Sequence, residues 1–297
     1  MTVGRVSVQD YGKLIQLPVQ KKLLSLLQGH HGGTGAGASH EFLDMAEYRP
    51  GDAIADIDWK STARFRTPIV KRFEQTAVLN VVLAVDTGSG MGALAAGGAA
   101  SDEYKEDVSA EVVLALAWLT AQRGDHLGLV AGNKESMTTL PARSGFSHAQ
   151  TLERLATSGS PSGPPGDFTA VLRRLNATRR GKALVVAITD ETQADAIEPG
   201  VLKQVATKHE LQVVLVKDVN PADLQGRAME DVAAGPLPYF AGAEKVSEEW
   251  QLSRETRSRR VAAKLKKLGV KSVRIGSRAE VPRGLVELFG GPHAPAS

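Results

Sequence analysis

Cysteine is absent from the 297 residues. That absence excludes disulfide frameworks, thiolate catalysis and cysteine-based zinc sites, and it agrees with a reducing compartment. A dominant charge of one sign is also missing. Lysine and arginine number 36 against 33 acids, a net charge of +3, too small a margin to argue for nucleic acid. No stretch approaches the roughly 20 apolar residues that span a bilayer. The opening residues, MTVGRVSVQDYGK, carry no apolar signal core. The expectation is a cytoplasmic protein without a membrane span. What is present is an ordinary globular balance, 42% hydrophobic and 23% charged, in a chain long enough for one large or two small domains.

Residues 11–28, YGKLIQLPVQKKLLSLLQ, place apolar side chains at helical spacing after Pro18. The glycine-rich GHHGGTGAG that follows looks like a phosphate loop, but no strand feeds it and no Gly-Lys-Ser/Thr closes it, so it reads as a link. His30, His31 and His40 cluster there, yet a flexible link without a nearby acid holds no metal rigidly. Residues 41–78 read as turns and short strands, with a turn at Pro50-Gly51-Asp52. From residue 79 apolar strands alternate with helices. Strands are expected at 79–85, over GDHLGLVAG, ESMTTLP, GKALVVAITD, LQVVLVKD and KSVRIGS. Helices are expected at 102–123, capped by Ser101 and stopped by Gly124, and at about 147–157, 167–178, 198–209 and 244–268, with a short last one over EVPRGLVELF. The alternation predicts an α/β fold: a doubly wound, mostly parallel sheet covered on both faces, with a β-rich and helical N-terminal extension. The expected division is an extension over 1–78, a sheet domain over 79–290 and a tail over 291–297.

Two of these strands end in acid. Leu79–Val85 runs into Asp86, followed by the small residues TGSGMG, and Ala183–Ile188 runs into Thr189-Asp190. Ligands of open parallel sheets sit beyond the carboxyl ends of the strands, near the switch in strand order. If the two strands are neighbours, both carboxylates reach that rim and need a cation, a shared proton or hydrogen-bond donors. Mg²⁺ suits carboxylate, hydroxyl and water ligands, and Thr87, Ser89 and Thr189 bring hydroxyls close. The alternative is that Asp86 and Asp190 cap the segments that follow them. The residues alone leave both readings open.

The block EYRPGDAIADIDWKSTARFRTPIVKRFE at 47–74 resembles the signature of the bacterial domain of unknown function 58 family. The matching residues are Tyr48, Pro50, Gly51 and Asp52, then Ile57, Asp58 and Trp59, then Thr62, Ala63 and Arg64. From residue 79 onward the chain resembles the von Willebrand factor A-like, Rossmann-like domain that such proteins contain. The resemblance implies a metal-ion-dependent adhesion site with an Asp-x-Ser-x-Ser loop. Here Asp86 and Asp190 match its acids, but Gly88 and Gly90 stand where both serine ligands belong, and Ser89 falls in the spacer. Thr169 is the candidate for the distant threonine, with Gly166 as the competing match. The resemblance therefore implies a degenerate site, with Mg²⁺ held weakly if at all, that serves docking through Asp86, Thr87, Ser89, Asp190 and Thr169.

The same resemblance implies a partner, a MoxR-type AAA+ ATPase, and a non-enzymatic adaptor role in chaperone-like remodelling of client proteins. No nucleophile–base pair is evident in the sequence. Ser144, Ser147 and His148 are adjacent, but adjacency is not triad geometry. Asp56 and Asp58 share a face if extended and read as ion-paired with Lys60, Arg64, Arg66, Lys71 and Arg72. The run from Arg254 to Lys267 reads as a solvated helix face with nearby glutamates. Two rival readings stand: a Mg²⁺-dependent phosphoryl-processing hydrolase using Asp86, and nucleic-acid binding through the 254–267 helix. No nucleic acid is expected.

Overall fold

The computed structural model describes residues 8–14, 40–49, 54, 57–75, 78–98, 102–156, 162–224, 230–231, 235–236 and 244–290. The glycine-rich link, Pro50, Gly51, Asp52, Asp56, Ser101, the 291–297 tail and residues 15–28 of the expected first helix lie outside them. Two compact units result, one of Gly29–Leu79 and one joining Met1–Gln28 to Asn80–Ser297. Of the first residues, the described 8–14 group with the sheet. Tyr11 is buried, with its ring 6.5 Å from that of Trp118, and a Cβ on Gly12 would come within 2.5 Å of the same indole.

The small unit is an antiparallel pair, β1 (His40–Glu47) and β2 (Ile69–Gln75), followed in register from His40↔Gln75 to Glu47↔Ile69. Between them lies a helix the sequence pattern did not announce, α1 (Trp59–Phe65). Its start corrects the reading of Asp58 as half of an extended pair. The Asp58 carboxylate accepts from the N–H groups of Lys60 at 3.0 Å and Ser61 at 3.4 Å, which satisfies donors that a helix start leaves without partners. The helix stops at Arg66, at φ 60°, whose N–H donates to the Thr62 carbonyl.

The large unit is built on six strands: β3 (Asn80–Asp86), β4 (His126–Gly132), β5 (Met137–Arg143), β6 (Leu184–Asp190), β7 (Glu210–Val216) and β10 (Lys271–Ile275). A short pair, β8 (Glu230–Asp231) and β9 (Gly235–Pro236), lies between β7 and β10 in the chain. The sheet order is β10-β7-β6-β3-β4-β5, parallel except for β5 at the edge. Runs such as NVVLAVD and LVVAITD are buried almost throughout, the pattern of strands covered on both faces. Helix α2 (Lys105–Arg123) ends at Gly124, at φ 72°, as expected. It starts three residues later than the sequence suggests. There the Lys105 N–H donates to the Ala93 carbonyl, and the Tyr104 N–H to the Asp107 carboxylate at 2.9 Å.

Helices α3 (Phe146–Ala156), α4 (Phe168–Thr178), α6 (Pro199–Lys208), α7 (Glu244–Lys267) and α8 (Val281–Gly290) fall close to their expected places. One face of the sheet, with Val82, Ala84, Val185, Ala187 and Val213, packs on Phe168, Leu172, Leu202 and Leu265 of α4, α6 and α7. The other face is covered by α2, α3 and α8. A further helix, α5 (Glu191–Ala196), follows β6 without a link and was not anticipated. The basic helix α7 holds it. Arg257 donates to the Thr192 hydroxyl, Arg260 forks onto Asp195, and Lys264 donates to the carbonyls of Ala194, Asp195 and Ile197. Cations here satisfy the carbonyls that a helix end leaves open.

Candidate functional site

Strands β3 and β6 are hydrogen-bonded neighbours, with Val85 opposite Ile188. The chain passes from β3 to β4 on one side and later to β6 on the other, so their carboxyl ends form the switch point of the sheet. Asp86 and Asp190 both arrive there, and each is only 3% exposed.

The Asp86 carboxylate accepts from the Gly88 N–H at 2.8 Å and from the Thr189 hydroxyl at 2.9 Å. Burial pushes its pKa up to about 6, and the nearby Asp190 adds to the rise, while the Gly88 and Thr189 bonds and Lys105 oppose it. Asp190 caps α5, accepting from the Gln193 N–H at 2.8 Å. Its second oxygen accepts from the Lys105 ammonium at 2.8 Å. Lys105, 2% exposed, also reaches Asp218 beyond β7 at 2.5 Å. Burial alone would lower the lysine, but the two carboxylates outweigh it and push it up to about 12. Burial alone would raise Asp190, but Lys105 and the N–H groups of Gln193 and Thr192 hold it below the ordinary carboxylate range.

Of the two neighbouring acids, Asp190 is thus balanced by a cation of this protein and Asp86 by hydrogen-bond donors. A divalent ion does not fit the residues present. The ammonium sits on Asp190, and of the two positions expected for hydroxyl ligands Gly88 has no room for a side chain and Gly90 is tight. A Cβ on Gly88 would lie 2.3 Å from the backbone of Gly166, and one on Gly90 would lie 3.2 Å from Asp190 Oδ2. Gly166 itself packs on Asp86, where a Cβ would stand 3.0 Å from Oδ1. Among the described residues no group of three or more histidine, cysteine or acidic side chains has metal-binding geometry.

The expected docking residues are largely turned inward, and Asp86 and Asp190 are almost fully buried. Both are bonded within the fold and shielded from contact. Thr87 is buried, its carbonyl and hydroxyl receiving the Asn133 amide at 3.3 and 3.4 Å. Ser89 is half-buried, and its N–H donates to the Pro164 carbonyl. Thr169 lies on α4 and accepts from the Glu198 N–H at 3.3 Å, while Gly166 takes the place beside Asp86. In the small unit Tyr48 donates its N–H to the Pro68 carbonyl, Trp59 is 68% exposed, and Arg64 lies 6.0 Å from the Phe65 ring.

Comparison with known proteins agrees with the signature block. Residues 44–234, more than half of the chain, match the family described as protein of unknown function DUF58. The chain belongs to the DUF58 family. Uncharacterized proteins of Mycobacterium tuberculosis and Mycobacterium bovis are each 29% identical to this DUF58 chain over 235 residues, covering 77% of it and 72% of the relative. Among solved structures, a von Willebrand factor type A protein from Catenulispora acidiphila is similar at TM-score 0.40 and 15% identity, covering 74% of this chain and 43% of that one. An aerotolerance-related membrane protein from Bacteroides fragilis is similar at TM-score 0.45 and 14% identity, covering 71% and 98%.

Sequence reasoning missed Lys105 and Asp218. A signal for the lysine existed. A cation in the first turn of a helix opposes the helix dipole, so DEYKED at 102–107 places Lys105 where an acid would ordinarily be preferred. Lys105→Met should destabilise the large unit by about 3–5 kcal/mol, because it leaves buried carboxylates uncompensated. Urea unfolding at neutral pH measures this. The Asp86 shift has the opposite consequence with pH. A carboxyl whose pKa rises on folding favours the folded state at low pH, and that contribution is lost as pH rises through about 6. The stability of wild type relative to Asp86→Asn should therefore fall between about pH 4 and pH 7, as read from paired unfolding curves.

Proposed function

We propose that this DUF58 chain is a non-enzymatic protein-interaction module. In this reading it works in the cytoplasm beside a MoxR-type AAA+ ATPase and presents client proteins for remodelling or assembly. The observation that carries the proposal is that both acids at the switch point are buried and bonded within the fold. Asp86 is held by Gly88 and Thr189, and Asp190 by Lys105 and Gln193. A nucleophilic or metal-bound carboxylate must reach its substrate, whereas these are almost fully buried. Binding energy in such a module comes from the surface, and large apolar side chains are exposed there. Trp59, Phe65 and Ile54 are each more than 60% exposed in the small unit, and exposed apolar groups mark interaction surfaces when they are contiguous.

The partner reading follows from the family resemblance of the signature block, and the remodelling energy then belongs to the ATPase. Nucleic-acid binding through α7 loses its main cations, since Arg257, Arg260 and Lys264 are engaged with α5. Affinity capture from host lysate should recover an AAA+ ATPase with the full chain, and added EDTA should not reduce the recovery. Turnover of phosphoester substrates by the purified chain, or capture that depends on Mg²⁺, would contradict the proposal.

A further inference from the structure

Next to the stripe of α7 that clamps α5 runs a second stripe that meets the carboxyl rim of the sheet. An open cleft of about 440 Å³ is lined by Gln251, Arg254, Glu255, Ser258 and Arg259 of α7, Arg274 of β10 and Asn220 beyond β7, so three arginines face one acid in the lining. Arg274 stands one residue from the end of its strand, and Asn220 lies beyond the end of β7, so the cleft lies toward the carboxyl ends of these strands and is accessible.

The three guanidinium groups are unequally partnered. Arg274 contacts Glu191, a buried acid next to Asp190, at 2.6 Å, as a meeting of charges and not an aligned hydrogen bond. Arg259 pairs with Glu255 at 3.1 Å, but both are mostly exposed, and an exposed pair of this kind holds weakly. Arg254 lies 5.2 Å from the Trp250 ring, with no carboxylate at ion-pair distance among the described residues. The lining therefore carries an excess of cation, presented as planar forks that match the two oxygens of a carboxylate. Asn220, Gln251 and Ser258 add neutral donors and acceptors suited to peptide groups.

We propose that this cleft binds the carboxylates of an acidic peptide segment of a partner protein, with Arg254 and Arg259 as the principal contacts. The proposal rests on the interaction-module reading and gives that module a docking site. A compact cluster of three arginines is not the continuous basic track that single-stranded nucleic acid follows, and Arg257, Arg260 and Lys264, which would extend it along α7, are engaged with α5. The stacked Arg254 also loses little side-chain freedom on binding, because the indole already restrains it.

Fluorescence anisotropy with the full chain and a labelled short peptide of aspartate and glutamate tests the site. The peptide should bind at low salt, and its asparagine/glutamine counterpart about tenfold more weakly or worse, as expected when charge-assisted bonds become neutral ones. Arg254→Gln together with Arg259→Gln should weaken the acidic peptide by about the same factor, while Lys266→Gln on the same helix leaves it unchanged. Arg259 is exposed and Arg254 half-buried with no ion pair among the described residues, so folding should persist. Arg274 is left intact, because its removal would strand Glu191. Equal binding of the two peptides, no loss in the double variant, tighter binding of an oligonucleotide, or displacement by equimolar inorganic phosphate would each overturn the proposal. Capture of an AAA+ ATPase equally by wild type and double variant would also overturn the cleft, yet leave the module reading intact. If the peptide binds as described and no ATPase is ever captured, only the partner assignment fails.

Discussion

The carboxyl rim of the sheet depends on one ammonium group. Lys105 reaches from the first turn of α2 to Asp190 at 2.8 Å and Asp218 at 2.5 Å, and so joins the ends of β6 and β7 to the helix that follows β3. Without that charge the parallel strands would deliver two acids to a buried place with nothing to balance them. A buried carboxylate without a partner either takes up a proton or destabilises the fold. Here the two outcomes divide between the acids. Asp190 is held ionised by Lys105, whereas Asp86 has only neutral donors on its oxygens and its pKa rises toward neutrality.

The same arrangement explains the glycines after β3. The loop must pass close under the segment 164–166 and then cross the rim. Ser89 bonds to Pro164, Ala96 to Lys217 and Gly97 to Gly276 through backbone groups. Gly88 and Gly166 touch backbone to backbone, which a side chain on either would prevent. Asp190 in turn caps α5, and α7 closes the far end of α5 with Lys264. The rim is thus a closed internal structure, and what remains open beside it is the arginine-lined cleft.

Much of this architecture was legible in the sequence. Continuous apolar runs ending at Asp86 and Asp190 announce buried parallel strands, while their pairing as neighbours emerges only from the sheet order. Gly124 marked the end of α2 because only a residue tolerant of positive φ stops a helix that way. The helices α1 and α5 were not legible, since each is shorter than two full turns and lacks a periodic apolar stripe. Their existence depends on a cap, Asp58 or Asp190, together with contacts made in three dimensions. The fate of the acids was equally hidden. The pattern left a cation, a shared proton and hydrogen-bond donors all open, and the lysine that pairs with Asp190 lies 85 residues before it in the chain. Only the crossover connection brings them together. The basic run in α7 misled for the same reason, because its partners, the carbonyls at the end of α5, leave no mark in composition.

We propose that Lys105 takes the place of a divalent ion at this rim. Isothermal titration of the purified full chain with Mg²⁺ tests it most directly. The account predicts no saturable heat of binding up to millimolar Mg²⁺. Saturable binding in the micromolar range that is abolished by Asp86→Ala would contradict it.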